Sequence, residues 1–294
     1  MRLGIDLGGS KIEIVALGDG SAELLRRRIP TPQGDYAGTL AAIAQLVRQA
    51  EHQLGARGSL GLGIPGTESR VSGLIKNANS TCLIGRDLRR DLQALLQREV
   101  RLANDANCFA LSEATDGAAA GAEVVFGVIL GTGVGGGIVA HGKVLAGANG
   151  IAGEWGHNRL PGDETDWPPC YCGRRGCVET FLSGPGLQRD HAKSSGESLD
   201  PAQIASRAAA GDTACEAALG RYESRLARAL AEVINILDPD AIVLGGGMSN
   251  IDRFYANVPR LWAAQVFSDH VATRLLKCRH GDASGVRGAA CLWE

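Results

Sequence analysis

The chain has 294 residues, with Lys+Arg 30 against Asp+Glu 32 for a formal net charge of −2. That length allows roughly two domains, each with its own core, and excludes a disulfide-stapled miniprotein; the balanced charge lacks the basic field that nucleic-acid phosphates require. Mean hydropathy is −0.02, no apolar run approaches the roughly 20 residues of a membrane span, and Asp6 with a glycine pair interrupts the N-terminal apolar stretch before it can read as a signal peptide. A cytoplasmic protein with neither membrane nor nucleic-acid partner is expected, and its 41 glycines, about double the usual share, need a local explanation.

Arg2 to Leu17 reads as a strand, a tight Gly8-Gly9-Ser10 turn and a second strand alternating at Ile12, Ile14 and Ala16; Leu24 to Ile29 completes a meander. Apolar residues at helical spacing predict a helix over Tyr36 to Leu54, stopped by Gly55, and Leu60 to Ile64 is the next strand, closed by Pro65-Gly66. A helix over Leu88 to Arg98 precedes a short strand, Val100 to Ala103, which delivers Asn104-Asp105-Ala106-Asn107 to a helix running through Glu113. Gly127 to Val139 then repeats the layout of Gly4 to Val15, Leu130-Gly131 aligning with Leu7-Gly8. Two such hairpins predict two related halves, each turning a glycine loop into a shared cleft. Ala146 to Gly186 is expected to be a loop-rich insertion. A long helix over Thr213 to Leu237, a strand over Ala241 to Leu244 ending in Gly245-Gly246-Gly247, and a last helix over Gly285 to Trp293 follow. On pattern alone the domains are 1–115 and 116–294, with the last helix returning to the first.

Glycine turns lack Cβ atoms, so their N–H groups can converge on phosphate oxygens, which makes Gly8-Gly9-Ser10-Lys11 and Gly131-Thr132-Gly133 candidate phosphate cradles. Either alone would read as a plain hairpin turn; the matching pair favours the cradle. Asp6 is placed to hold Mg²⁺ through water or to orient the phosphates. Gly131-x-Gly133-x-x-Gly136 also fits the dinucleotide fingerprint, but the β-branched residues that follow predict a strand where that motif needs a helix. Asp105, at a strand tip beside Asn104 and Asn107, is the candidate general base for phosphoryl transfer to an alcohol, with a simple helix N-cap as the alternative. Cys170, Cys172 and Cys177 with His157 upstream supply a tetrahedral zinc set, against the alternative of free thiols; four protein ligands leave no open position, so the ion would be structural. It would fix the loop carrying Glu154 and Glu179, which are candidates for hydrogen-bonding sugar hydroxyls or else solvated surface acids.

Gly4 to Lys11, Gly63-Ile-Pro-Gly66, Asn104-Asp105, Gly131 to Gly137, Gly153-Glu-Trp-Gly-His157 and Cys170-x-Cys-Gly-x-x-Gly-Cys-x-Glu179, in this order over nearly the full chain, resemble the ROK family of sugar kinases and repressors. Within it, Ile75 to Thr81, Val100 to Cys108 and Leu237 to Asn250 look most like bacterial fructokinases, or mannofructokinases, with N-acetylglucosamine kinases as near relatives. The resemblance implies a two-domain actin-like ATPase fold of the α/β, ribonuclease H-like kind, with an inserted zinc loop and ATP between the domains. It implies Asp105 as base, sugar contacts from Asn104, Glu154, His157 and Glu179, and zinc on His157, Cys170, Cys172 and Cys177, His157 serving sugar and metal through its two ring nitrogens. On the nucleotide side it implies Gly4, Asp6, Gly8, Gly9, Ser10, Lys11, Gly131, Thr132, Gly133, Gly135, Gly136 and Gly137, with Gly245, Gly246 and Gly247 toward adenine. Ser10 stands where the family usually has Thr, and the segment Pro161 to Pro169 is short. The implied activity is Mg²⁺- and ATP-dependent phosphorylation of a hexose C6 hydroxyl, fructose first, by a homodimer. The alternatives are N-acetylglucosamine, glucose or mannose as acceptor. A different class is a sugar-responsive member without catalysis; a repressor would need a DNA-reading motif ahead of Arg2, where no room is expected.

Overall fold

The computed structural model describes residues 1–78 and 80–293; Asn79, within the stretch compared with fructokinases, and Glu294 lie outside the described residues. In chain order the elements are β1 (Arg2–Leu7), β2 (Lys11–Leu17), β3 (Glu23–Pro30), α1 (Tyr36–Leu54), β4 (Ser59–Ile64), β5 (Thr67–Glu68), β6 (Ile75–Lys76), α2 (Leu88–Leu96), β7 (Val100–Asn104) and α3 (Asp105–Thr115). There follow β8 (Val124–Leu130), β9 (Val134–Ala140), β10 (Lys143–Val144), α4 (Val178–Leu182), α5 (Gly184–Ser195), α6 (Pro201–Ala209), α7 (Thr213–Leu237), β11 (Ala241–Gly245), α8 (Phe254–Trp262), β12 (Arg274–Lys277) and α9 (Ser284–Cys291).

One compact unit takes in Met1–Gly121, Gly137–Ala152 and Arg279–Glu294. Its sheet has the order β3-β2-β1-β4-β7, with β1, β4 and β7 parallel and β2 and β3 antiparallel. The alternation read in Ile12, Ile14 and Ala16 places these residues in the core together with Leu3, Ile5, Leu60 and Leu62. α1 begins at Asp35, whose carboxylate accepts from the Gly38 N–H, and ends on Gly55 at φ 64°, a backbone angle that glycine adopts without strain. Helix α9 lies so close to the sheet that a Cβ on Gly61 would stand 1.8 Å from the Ala289 carbonyl oxygen. Part of the glycine excess therefore serves close helix packing rather than turns.

The far end of α3 is fastened by Glu113, which is fully buried. Its carboxylate accepts from the Ala118, Arg279 and His280 N–H groups and from the Ser284 hydroxyl. A buried carboxylate is tolerated where its lone pairs are met in this way, and here it joins three chain segments.

The second unit takes in Ala122–Gly136 and Gly153–Cys278. Its sheet belongs to a ladder of order β10-β9-β8-β11-β12, which repeats the pattern of the first sheet, and β9 runs on at Gly137 into the first unit. Each hairpin turns in three residues, Gly8-Gly9-Ser10 and Gly131-Thr132-Gly133, so the internal repeat read in the sequence is a repeat of structure. The expected loop holds only up to Cys177, because α4 and α5 form within the predicted insertion. Ser183 caps α5 by accepting from the Gly186 N–H. The segment between α5 and α7 adds α6, opened by a reciprocal Asp200 and Gln203 capping box. No helix among the described residues is long and apolar enough to cross a membrane.

Candidate active site

In the first unit, the parallel pairing of β4 with β7 sets Ile64 opposite Asn104 and brings the Pro65-Gly66 corner beside the start of α3. Asn104 caps that helix: its Oδ1 accepts from the Ala106 N–H at 2.9 Å and its Nδ2 donates to the Gly66 carbonyl at 3.2 Å. The Asp105 Oδ1 accepts from the same amide at 2.8 Å. The capping alternative therefore falls mainly to Asn104, with the Asp105 carboxylate at the positive end of the helix. Asp6, at the end of β1, has its pKa pushed up to about 6 by burial first and then by the negative charges of Asp105 and Glu13, against the opposing pull of Lys11 and Arg28. Glu13 is itself buried and held by Arg26 and Arg28. Two carboxylates that repel in this way form a natural seat for a cation or for a shared proton.

The Gly8-Gly9-Ser10 turn is closed by the Gly8 N–H donating to the Lys11 carbonyl at 2.9 Å and is braced by the Thr31 hydroxyl on the Gly8 carbonyl at 2.8 Å. Gly4 is placed otherwise: it lies inside β1, where a Cβ would stand 2.1 Å from the Val286 carbonyl oxygen, so packing on α9 accounts for it. Gly137 likewise lies within β9, and a Cβ there would meet the Ala106 carbonyl at 2.5 Å. The strand thus runs flush against the first turn of α3.

In the second unit, the Gly131-Thr132-Gly133 turn is met by Glu179, whose Oε2 accepts from the Val134 N–H at 3.0 Å. Gly184 donates to the Gly131 carbonyl at 2.8 Å, so the starts of α4 and α5 both fasten this turn. Gly135 and Gly136 lie within β9; the Gly135 carbonyl accepts from the Trp155 indole at 3.1 Å, and a Cβ on Gly136 would stand 2.7 Å from that ring. This packing fixes the short 3₁₀ turn Trp155–His157 that carries His157, with the exposed Glu154 just before it. Gly246, at φ 80°, and Gly247 follow β11; a Cβ on Gly246 would stand 2.4 Å from the Leu130 carbonyl.

His157, Cys170, Cys172 and Cys177 converge, their ligand atoms all within 4.8 Å of one another. The His157 Nδ1 lies 3.6 Å from the Cys170 Sγ, and the Cys172 and Cys177 sulfurs are 3.6 Å apart. A tetrahedral zinc ion with Zn–S bonds of about 2.3 Å needs sulfurs about 3.8 Å apart, so the donor set fits and could bind zinc. Arg174 draws the Cys172 thiol down to about 6, toward the thiolate that a metal requires, whereas burial pushes Cys177 up to about 12. Cys177 also immediately precedes α4, one turn of which carries Glu179, so the cluster and that acid share a support.

Sequence reasoning missed Tyr171. Its hydroxyl lies 2.9 Å from the His157 Nε2, with the two rings edge to face at 5.1 Å. The nitrogen expected to reach a sugar thus already has a partner, and the only signal was the position of Tyr171 between two zinc cysteines.

The ROK family pattern matches residues 2–294, and the chain belongs to that family. It is 40% identical to the N-acetyl-D-glucosamine kinase of Pectobacterium atrosepticum, over 99% of this chain and 98% of that protein. The ROK hexokinase of Thermus thermophilus superposes with a TM-score of 0.88 at 32% identity, over 99% of this chain and 97% of the other. A ROK glucokinase of Streptomyces griseus, solved with glucose and AMPPNP, superposes with a TM-score of 0.79 at 26% identity, over 99% and 98%. The fold is accordingly the α/β actin-like ATPase fold that the motifs implied. The finer resemblance to fructokinases gives way: relatives at this identity carry the name that the sequence held as an alternative.

Proposed function

We propose that this protein is an ATP-dependent sugar kinase whose acceptor is the C6 hydroxyl of N-acetyl-D-glucosamine. The observation that carries the reading is 40% identity to N-acetyl-D-glucosamine kinases over essentially the whole of both chains, together with Asp105 and both glycine turns being present in order. Fructose, the acceptor implied by the local motifs, is the second reading.

In the proposed reaction Asp105 accepts the proton of the acceptor hydroxyl as its oxygen attacks the γ-phosphorus, and ADP leaves. The position of Asp105 suits this role, since the Ala106 N–H donates to one of its carboxylate oxygens and holds the group at the first turn of α3. Asn104, Glu154, His157 and Glu179 are proposed as sugar contacts. The two turns, Gly8 to Lys11 and Gly131 to Gly133, are proposed to cradle the phosphates through backbone N–H groups, with Gly246 and Gly247 toward the base. Asp6 would orient the water shell of Mg²⁺, which neutralises phosphate charge when bound. Zinc on His157, Cys170, Cys172 and Cys177 would act as a structural clamp, and no chemical step is assigned to it. The dependence on ATP and on reduced thiols suits a cytoplasmic enzyme.

The test is ADP release with Mg²⁺ over N-acetylglucosamine, N-acetylmannosamine, fructose, glucose and mannose at matched concentrations. N-acetylglucosamine is expected to lead in kcat/KM. A lead for fructose restores the second reading, and turnover of none of these sugars refutes the kinase.

A further inference from the structure

Beside Asn104 the first unit contains a pocket of about 640 Å³, and every residue lining it belongs to that unit. Its floor is β7 at Leu102 to Asn104, an edge strand of the sheet, and its walls are the tip of the β5–β6 hairpin and the segment Val144 to Gly150. The Thr67 hydroxyl ties those walls together by donating to the Gly150 carbonyl at 3.1 Å. The volume lies in the range of sites for drug-sized molecules and exceeds what one hexose fills.

Three polar features of the pocket lack partners. The Asn107 Oδ1 and the Arg89 Nε are both buried with no hydrogen bond. Arg70, exposed at the rim, forms no hydrogen bond or ion pair among the described residues. Arg89 is paired through its other end with Glu68, so the two arginines of the lining outnumber its one acid. Buried polar atoms are normally satisfied, and an orphaned acceptor and an orphaned guanidinium donor on residues lining one pocket describe a complementary ligand. That ligand offers an N–H or O–H to Asn107 and an anionic oxygen to the arginines, and it lays aliphatic surface against Leu102, Val144 and Leu292.

We propose that this pocket is an annex of the acceptor site that takes a carboxylate-bearing arm on an N-acylated hexosamine, so that the enzyme phosphorylates acidic amino sugars as well as the simple one. The proposal rests on the amino-sugar kinase reading given above. Asn104 and Asn107 line the pocket on either side of Asp105 in sequence, so a sugar placed at Asp105 can extend a substituent into the annex while its C6 hydroxyl stays at the base. Planar, doubly donating guanidinium groups match a carboxylate better than a neutral ester.

The test compares N-acetylglucosamine with N-acetylmuramic acid, whose 3-O-lactyl arm ends in a carboxylate, and with the methyl ester of that acid, by ADP release in the full-length enzyme. The acid is expected to reach kcat/KM within about tenfold of the simple sugar, and the ester to fall about tenfold below the acid. Arg70→Ala, at an exposed loop position, should cost the acid about tenfold and leave N-acetylglucosamine unchanged. An acid that is neither phosphorylated nor competitive against N-acetylglucosamine overturns the annex, as does an Arg70→Ala effect equal on both sugars. If N-acetylglucosamine itself is not a substrate, the amino-sugar reading has failed, and calorimetric binding decides the pocket separately. Acid binding that Arg70→Ala weakens then supports the annex, and no binding refutes it.

Discussion

The junction of β7 with α3 and the segment from Gly153 to Leu182 carry the proposed sugar contacts by opposite means. At the junction, Asp105 opens an 11-residue helix at the end of a parallel strand, and α9 packs on that helix so closely that a Cβ on Gly288 would lie 1.7 Å from the Cys108 carbonyl. In the other segment, Glu154 and His157 sit on a three-residue 3₁₀ turn, and the chain returns to α4 through two isolated bridges, Arg159 with Cys177 and Pro169 with Arg175. Close packing of regular elements fixes the first position without help. The second has few ladder bonds to resist opening, so a metal ion on its four candidate ligands would supply the cross-link that orders it.

The sharpest test of the rigid half is Asp105→Asn, which keeps shape and the bond from Ala106 but removes the base. Turnover is expected to fall by about 10²–10⁴-fold with sugar affinity retained, measured by steady-state kinetics beside calorimetric binding. A variant that keeps full kcat would remove Asp105 from the mechanism.

Next in size is the metal. Chelation, or Cys177→Ser, should release one zinc per chain and lower the melting temperature; hydrogen exchange should quicken over 153–182 while α3 stays protected. Cys172→Ser should do less, because Cys172 is exposed and Cys177 is buried. Equal loosening of α3 would show that the two regions are not independently held.

The same contrast governs what the sequence revealed. The helix over Tyr36 to Leu54 and the helix over Thr213 to Leu237 match the observed α1 and α7 residue for residue, because periodic apolar faces and the caps Asp35, Gly55 and Asp212 act locally. The grouping of His157, Cys170, Cys172 and Cys177 was legible because thiol spacing survives any loop conformation. Two elements were not: β12 has four residues, and α8 contains Pro259, which argues locally against a helix that tertiary packing of Phe254, Val258 and Trp262 nevertheless supports. Gly4, Gly136 and Gly137, which the family resemblance puts on the nucleotide side, also stand where a Cβ would meet neighbouring chain, and sequence alone cannot tell a glycine needed for a turn from one needed for close approach. The orphaned Asn107 and Arg89 atoms and the Tyr171 contact depend on the three-dimensional meeting of distant segments, for which no periodicity gives a sign.

Asp6 offers a smaller effect of unusual sign. Its pKa rises from 3.8 to about 6 on folding, so the native chain binds that proton more tightly than the unfolded chain does. The group therefore lowers stability as pH climbs from about 4 through about 6, and it destabilises the protein at neutral pH. Asp6→Asn should raise stability at pH 7 by ~1–2 kcal/mol, with the difference vanishing near pH 4 in metal-free buffer, while kcat falls at least about tenfold. A variant that loses both stability and activity would mean that the carboxylate is structural.

The smallest expected change, Tyr171→Phe, probes the flexible half at one hydrogen bond. If zinc takes the His157 Nδ1, which lies toward the Cys170 sulfur, the Nε2 must carry the proton and would donate to the Tyr171 hydroxyl 2.9 Å away. A sugar hydroxyl that uses this nitrogen must displace that hydroxyl, and Tyr171, 80% exposed, can swing into solvent at little packing cost. Removing the hydroxyl while keeping the ring should lower the KM for sugar about two- to threefold, leaving kcat and zinc content unchanged, because a ground-state competitor is lost and no transition-state contact is touched. A higher KM accompanied by faster zinc loss to a chelator would give the hydroxyl the other role open to it, that of holding the imidazole in the tautomer that the metal needs.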